Sequence, residues 1–221
     1  MSALWAVLWK DLITEWRSRD RVTAMAVFAL LVVVIFHFAL PEGTTREAVS
    51  NTPGLLWVAY VFASLLGLNR ALALELENDA LSGLALAPVD RGWIFLGKAL
   101  ANFVLIGIVQ LITAFAFALV FRVDLLSIAL PLAGLTALAT LGICCVGTLL
   151  SAMAVRTRFG EVLLPILLLP TLIPILVGAV EGTASLLSGG ALAFASVQLL
   201  IVADAIYLIT SFLVFEYVLD E

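Results

Sequence analysis

Asp204 and Tyr207 stand three residues apart inside an otherwise apolar run, Val202-Ala-Asp204-Ala-Ile-Tyr207-Leu208. An acidic side chain at the centre of a lipid-embedded helix costs about 2.5–3.5 kcal/mol and is tolerated where it faces a cavity or a partner. On a helix Tyr207 shares its face. Two roles are open for Asp204: part of a translocation path or its gate, or packing glue with Gln198 or another helix. Pro165, Pro170 and Pro174 crowd a second apolar run. Each lacks an N–H and frees a carbonyl one turn earlier, so that helix must bend, break or be re-satisfied by neighbours. Pro170 and Pro174 therefore join Asp204 and Tyr207 as candidates for gating.

Other chemistry is weaker. His37, the single histidine, lies between Phe36 and Phe38. Neutral imidazole can bind haem iron, but an interfacial histidine near outer water is the simpler account and the favoured one. Gly92-Trp-Ile-Phe-Leu-Gly97-Lys98-Ala99 follows the phosphate-binding loop until its last position, where a Mg²⁺-holding hydroxyl is required and Ala99 has none. The two cysteines, Cys144 and Cys145, are adjacent, a poor geometry for a disulfide and no metal spacing. No His/Glu metal motif and no Ser/His constellation suggests catalysis, so an intramembrane enzyme is a remote reading. Asn102 and Gln110 suit interhelical hydrogen bonds, and Gly178 and Gly182 suit close helix packing.

The elements that must position these groups follow from composition. Of 221 residues, 64% are hydrophobic and only 12% charged, against about a quarter charged in a soluble domain. Disorder is excluded. Eleven basic against 16 acidic residues, with no basic stripe, argue against nucleic-acid binding. Each crossing needs about 20 apolar residues, and six runs qualify: about 22–40, 53–69, 99–121, 127–153, 162–180 and 191–215. The runs are continuous rather than alternating, which excludes a β-barrel. The expectation is an all-α, polytopic membrane protein in one domain, 1–221, surrounded by lipid bilayer. The first 20 residues carry no cleavable signal pattern.

Orientation comes from Lys and Arg near the span ends. With the N-terminus inside, Lys10, Arg17, Arg19, Arg21, Arg70, Arg91, Lys98, Arg156 and Arg158 are cytoplasmic, and only Arg46 and Arg122 lie outside. Both termini are then cytoplasmic. Before the first span, Leu4, Trp5, Leu8, Trp9, Leu12 and Trp16 recur at helical steps. Such a helix lies in the interface, as a plain anchor or as a lever moved by a partner.

The longest cytoplasmic connection, 70–98, opens with an amphipathic helix. Leu74, Leu81 and Leu84 share a face, while Glu75, Glu77, Asn78 and Asp79 stay polar, and Pro88 ends the helix. Asp90 is placed to cap the next helix. A short helix between two spans fits a groove on a cytoplasmic partner; it equally fits a surface loop.

Six spans in this length, an interfacial first helix and a charged helix-turn between spans two and three resemble the type-2 ABC exporter permeases. More narrowly, Pro53-Gly54-Leu-Leu-Trp57-Val-Ala, Arg70 with the acidic run, Leu-Ala-Pro88, Lys98 and Leu-Pro170-Thr-Leu-Ile-Pro174 resemble the CcmB family. Asp79 and Ser82 depart from its usual pattern, which has Gly and an acidic residue there.

The resemblance implies a homodimer seated on two copies of a separate ATPase subunit, which carries the ATP and Mg²⁺. Arg70, Glu75, Glu77, Asn78, Asp79, Leu81, Leu84 and Pro88 would then couple ATP closure to the spans. It further implies a haem-handling membrane subunit, a small accessory subunit, a periplasmic haem chaperone, and the bacterial cytoplasmic (inner) membrane. Haem is then either the translocated cargo or the load of a chaperone that ATP use releases, and no cofactor or metal is bound by the chain itself. An ABC-2 permease for another amphipathic substrate and a non-transporting assembly scaffold are the alternatives.

Overall fold

A computed structural model of the chain describes residues 2–39, 45–77, 90–155, 157 and 159–220. Among them the regular elements are helices: α1 (Ser2–Ser18), α2 (Asp20–Ala39), α3 (Thr45–Glu77), α4 (Arg91–Phe121), α5 (Ala129–Val155), α6 (Gly160–Thr171), α7 (Ile173–Leu187) and α8 (Phe194–Asp220). Helices satisfy every backbone group internally, which lipid demands of a spanning chain. The helices α2, α3, α4, α5 and α8 are each long and apolar enough to cross. The pair α6–α7, bent by 56° at Leu172, makes a sixth crossing if taken as one span. The chain is thus a polytopic α-helical membrane protein, and the fifth span is broken where its prolines cluster.

Helix α5 is the central post, packed against α3, α4, α6, α7 and α8. Its neighbour α3 is the most enclosed of the spans. The main core runs through Met25, Trp57, Leu68, Ile106, Phe117, Ile143 and Leu168, drawn from α2, α3, α4, α5 and α6. A second cluster joins α1 to the first turns of α4 and the end of α8, with Phe95 and Phe215 ring centroids 5.4 Å apart.

Three boundaries differ from the hydropathy reading. Helix α3 starts at Thr45 rather than Pro53 and continues unbroken past Arg70 to Glu77, so the opening of the 70–98 connection is an extension of the second span. Helix α4 begins at Arg91, eight residues before the apolar run, with Asp90 Oδ1 accepting from the Gly92 N–H at 2.9 Å. That is the expected cap. Its first turns are stabilised by packing on protein, not lipid: Gly92 lies under the Phe212 ring and Gly97 under the α1 backbone at Leu4. Lys98 is accordingly buried.

The apolar stripe on α1 divides in two. Val7 and Leu8 are buried against α4, and Leu4 and Leu12 are half-buried. Trp5, Trp9, Ile13 and Trp16 face outward, the three indoles 62–77% exposed. Indoles suit the headgroup region, where the ring is buried and the N–H stays wet. The turn into α2 passes through Arg19 at φ +58°. There the buried Glu15 carboxylate accepts from the Val22 N–H at 2.8 Å, satisfying one of the orphan donors that open α2.

Candidate functional site

Polar groups inside the bundle form three layers. At the foot of α2, the Arg21 guanidinium donates to Asn102 Oδ1, and Asn102 Nδ2 donates to Thr148 Oγ1 at 2.8 Å. Midway, Thr140 Oγ1 donates to Gln110 Oε1 at 2.7 Å, and the Tyr60 hydroxyl donates to the Gln110 carbonyl. Higher up, Trp57 Nε1 donates to Thr183 Oγ1 at 3.0 Å, tying α3 to α7. Asn102 and Gln110 thus make the interhelical bonds their types suggested. Arg21 was legible only as a charge at a span end, yet it is 5% exposed and belongs to a buried network.

Asp204 sits against the broken span. It is 5% exposed, and neither carboxylate oxygen has a hydrogen-bond partner among the described residues. The carboxylate fits because position 142 on α5 is glycine: a Cβ there would overlap both the Asp204 carboxylate and Ile175 in the first turn of α7. Gln198 is exposed and makes no hydrogen bond to Asp204. One turn along, the Tyr207 hydroxyl donates to the carbonyl of Thr171, the last residue of α6. The break itself lies between Pro170 and Pro174, with Leu172 N–H returning to the Leu168 carbonyl at 3.0 Å and Pro174 opening α7. The structure therefore brings together Asp204, Tyr207, Pro170 and Pro174, and adds Gly142 and Ile175, which no linear spacing could reveal.

Asp204 is thus an unpartnered acid, among the described residues, beside a helix break that the Tyr207 phenol braces. If the Tyr207 bond holds the break, Tyr207→Phe should destabilise the chain by about 1 kcal/mol. A thermal unfolding midpoint about 2–4 °C lower in detergent is the expected reading. An unchanged midpoint would show that the packing of Ile175 and Leu172 alone sets the bend.

The other candidates lie apart. His37 is exposed in the last turn of α2, with its ring edge-on to Phe121 at 6.0 Å. Among the described residues no group of three His, Cys, Asp or Glu side chains could hold a metal. Arg70 is exposed and Leu74 half-buried near the end of α3; Glu75 and Glu77 lie in its last turn. Asn78, Asp79, Leu81, Leu84 and Pro88 lie outside the described residues. Gly178 and Gly182 bring α7 close to Leu200 of α8 and Leu135 of α5, as small residues permit.

The family model described as CcmB protein matches residues 2–216, from α1 to near the end of α8. The chain belongs to the CcmB family. Among relatives, the Heme exporter protein B of Rhodobacter capsulatus is 31% identical over 182 residues, 80% of each chain. The protein of the same name from Paracoccus denitrificans is 31% identical over 177 residues, again 80% of each. That from Pseudomonas aeruginosa is 30% identical over 152 residues, 68% of this chain and 67% of the relative. The CcmB match takes in α1, the five candidate spans, the bent pair α6–α7 and the stretch of α8 that carries Asp204.

Proposed function

We propose that this chain is the permease subunit of an ATP-driven ABC transporter for haem export in c-type cytochrome biogenesis. It works as a homodimer on two copies of a separate ATPase subunit. The observation that carries the haem reading is the match over residues 2–216, with relatives named Heme exporter protein B. The chain lies in the bacterial inner membrane with both termini cytoplasmic, as the excess of Lys and Arg on one side of the spans suggests. Its role is mechanical. Residues 92–99, which mimic a phosphate loop, are a stretch of helix with both glycines covered and Lys98 buried. Nucleotide therefore belongs to the partner. ATP closure would push on Arg70, Glu75 and Glu77 at the end of α3, on the segment Asn78–Pro88, and on α1. Because α3 is one continuous helix from Glu77 to the Trp57–Thr183 bond, force applied at its cytoplasmic end can reach α7.

Asp204, Tyr207, Pro170 and Pro174 form the gate in this reading. Haem is cargo, passed with the help of a haem-handling membrane subunit and a small accessory subunit to a periplasmic chaperone. The test is charge reversal at the end of α3. The double variant Glu75→Lys with Glu77→Lys, expressed in cells lacking their own copy, should insert normally and leave c-type cytochromes reduced by about tenfold or more. Full cytochrome yield with the ATPase still co-purifying would remove these carboxylates from coupling. Purification that brings down an ATPase but no haem-linked protein would point to another amphipathic cargo. No ATPase at all would leave a membrane scaffold.

A further inference from the structure

A carboxylate taken out of water needs a cation, a set of donors or a proton. The surroundings of Asp204 decide among the three. Helix α5 presents Gly142 to it, and α7 presents Ile175. Cys145, one turn along α5, and Tyr207, one turn along α8, are titratable groups within electrostatic reach. The charged groups of the packed elements lie elsewhere. Arg21 bonds Asn102 of α4, and Asn102 bonds Thr148 of α5, six positions or about 9 Å beyond Gly142. Lys98 lies one turn further along α4. Glu181 of α7 and Glu216 of α8 are exposed, six positions past Ile175 and twelve past Asp204.

No basic side chain or other donor among the described residues meets the carboxylate. A metal ion needs several ligands, and no three His, Cys, Asp or Glu side chains among the described residues could hold one. Both carboxylate oxygens are covered, with Oδ1 against the bare backbone of Gly142 and Ile175 beside it. A proton needs neither space nor a second ligand, and it removes the charge that an apolar interior penalises. The cover over the carboxyl belongs to movable parts. Ile175 is in the first turn of α7, which meets α6 at the 56° bend, and Tyr207 holds the last carbonyl of α6. A change in the bend therefore moves both the atoms that shield the carboxyl and the phenol beside it.

We propose that Asp204 is a proton-binding site tied to the bend: the carboxyl holds a proton while α7 packs over it, and yields it to water when the bend between α6 and α7 opens. The O–H bond breaks, the electron pair stays on the carboxylate, and water takes the proton. The inference deepens the gate reading and rests on it only for its use in export. The proton is read by spectroscopy and the gate by cytochrome yield, so each can fail alone.

The test is infrared spectroscopy of the full chain in lipid nanodiscs, compared with Asp204→Asn. At about pH 6, where an aspartic acid in water is ionised, the difference spectrum should show one protonated carboxylic acid that Asp204→Asn lacks. Two variants probe the tie to the bend. Gly142→Ala pushes the carboxyl out of its seat, and Pro170→Ala with Pro174→Ala restores the N–H groups whose absence breaks the span. Each should bind the proton about tenfold more weakly or worse, and weakening in either monodisperse variant supports the coupling. The proposal is overturned if the spectrum at that pH shows an ionised carboxylate or no acid band, or if the band titrates unchanged in both variants.

Discussion

Asp204→Leu should make the chain more stable and less active. The stability gain follows from the burial of both carboxylate oxygens without partners. An unsatisfied buried polar group costs about 1–3 kcal/mol, and replacing it by an apolar group of similar shape recovers much of that. The thermal midpoint should rise by about 5 °C in detergent. Activity should move the other way. The carboxylate faces Gly142 and Ile175 beside the bend between α6 and α7, where the proposed gate would use it. In cells lacking their own copy, c-type cytochrome yield should fall by about fivefold or more, the low end of a typical coupling free energy. Asp204→Asn keeps the shape and removes the acid, and it should lose activity too. A packing role predicts the opposite pair of results, with full yield in Asp204→Asn and a lower midpoint in Asp204→Leu. Full cytochrome yield from both variants would take Asp204 out of the gate.

How far the sequence reaches is clear from these same residues. The spans were legible because hydrocarbon imposes a length and a composition on every crossing. The bend was legible too: three prolines in one run leave carbonyls without donors, and the chain breaks at Leu172 between two of them. Asp204, Asn102 and Gln110 stood out as polar residues in apolar surroundings. Tertiary partners were beyond reach. Gly142 matters only because α8 crosses α5 at Asp204, and nothing within α5 says so. On α1 the helical steps group Leu8 with the three tryptophans, whereas Leu8 is buried and the indoles face outward, because periodicity shows that a helix is amphipathic without saying which side meets protein. Hydropathy also set α4 too late. Its first two turns are packed on α1 and α8, so they need no lipid-compatible sequence to be helical.

Trp57→Ala should be strongly damaging, and for a reason of packing. The indole is 1% exposed, its ring meets Tyr60 edge-on at 5.4 Å, and its N–H reaches Thr183 on α7. Large aromatic-to-alanine changes in a core cost about 3–5 kcal/mol, so the midpoint should drop by about 10 °C. Trp57→Phe separates the two contributions, since it keeps most of the bulk and removes the donor. Its cost should be nearer 1 kcal/mol. Thr183 also donates to the Ala179 carbonyl, so the hydroxyl is not stranded when the indole N–H is lost. The informative quantity is cytochrome yield in Trp57→Phe. Helix α7 carries Ile175 against Asp204 at one end and Thr183 against Trp57 nearer the other, with α3 running on to Glu77. If α3 pulls α7 through that bond, Trp57→Phe loses activity out of proportion to its small loss of stability. If yield and stability fall in step across Phe and Ala, Trp57 is core alone, and the link between the cytoplasmic end of α3 and the broken span must run through α5 instead.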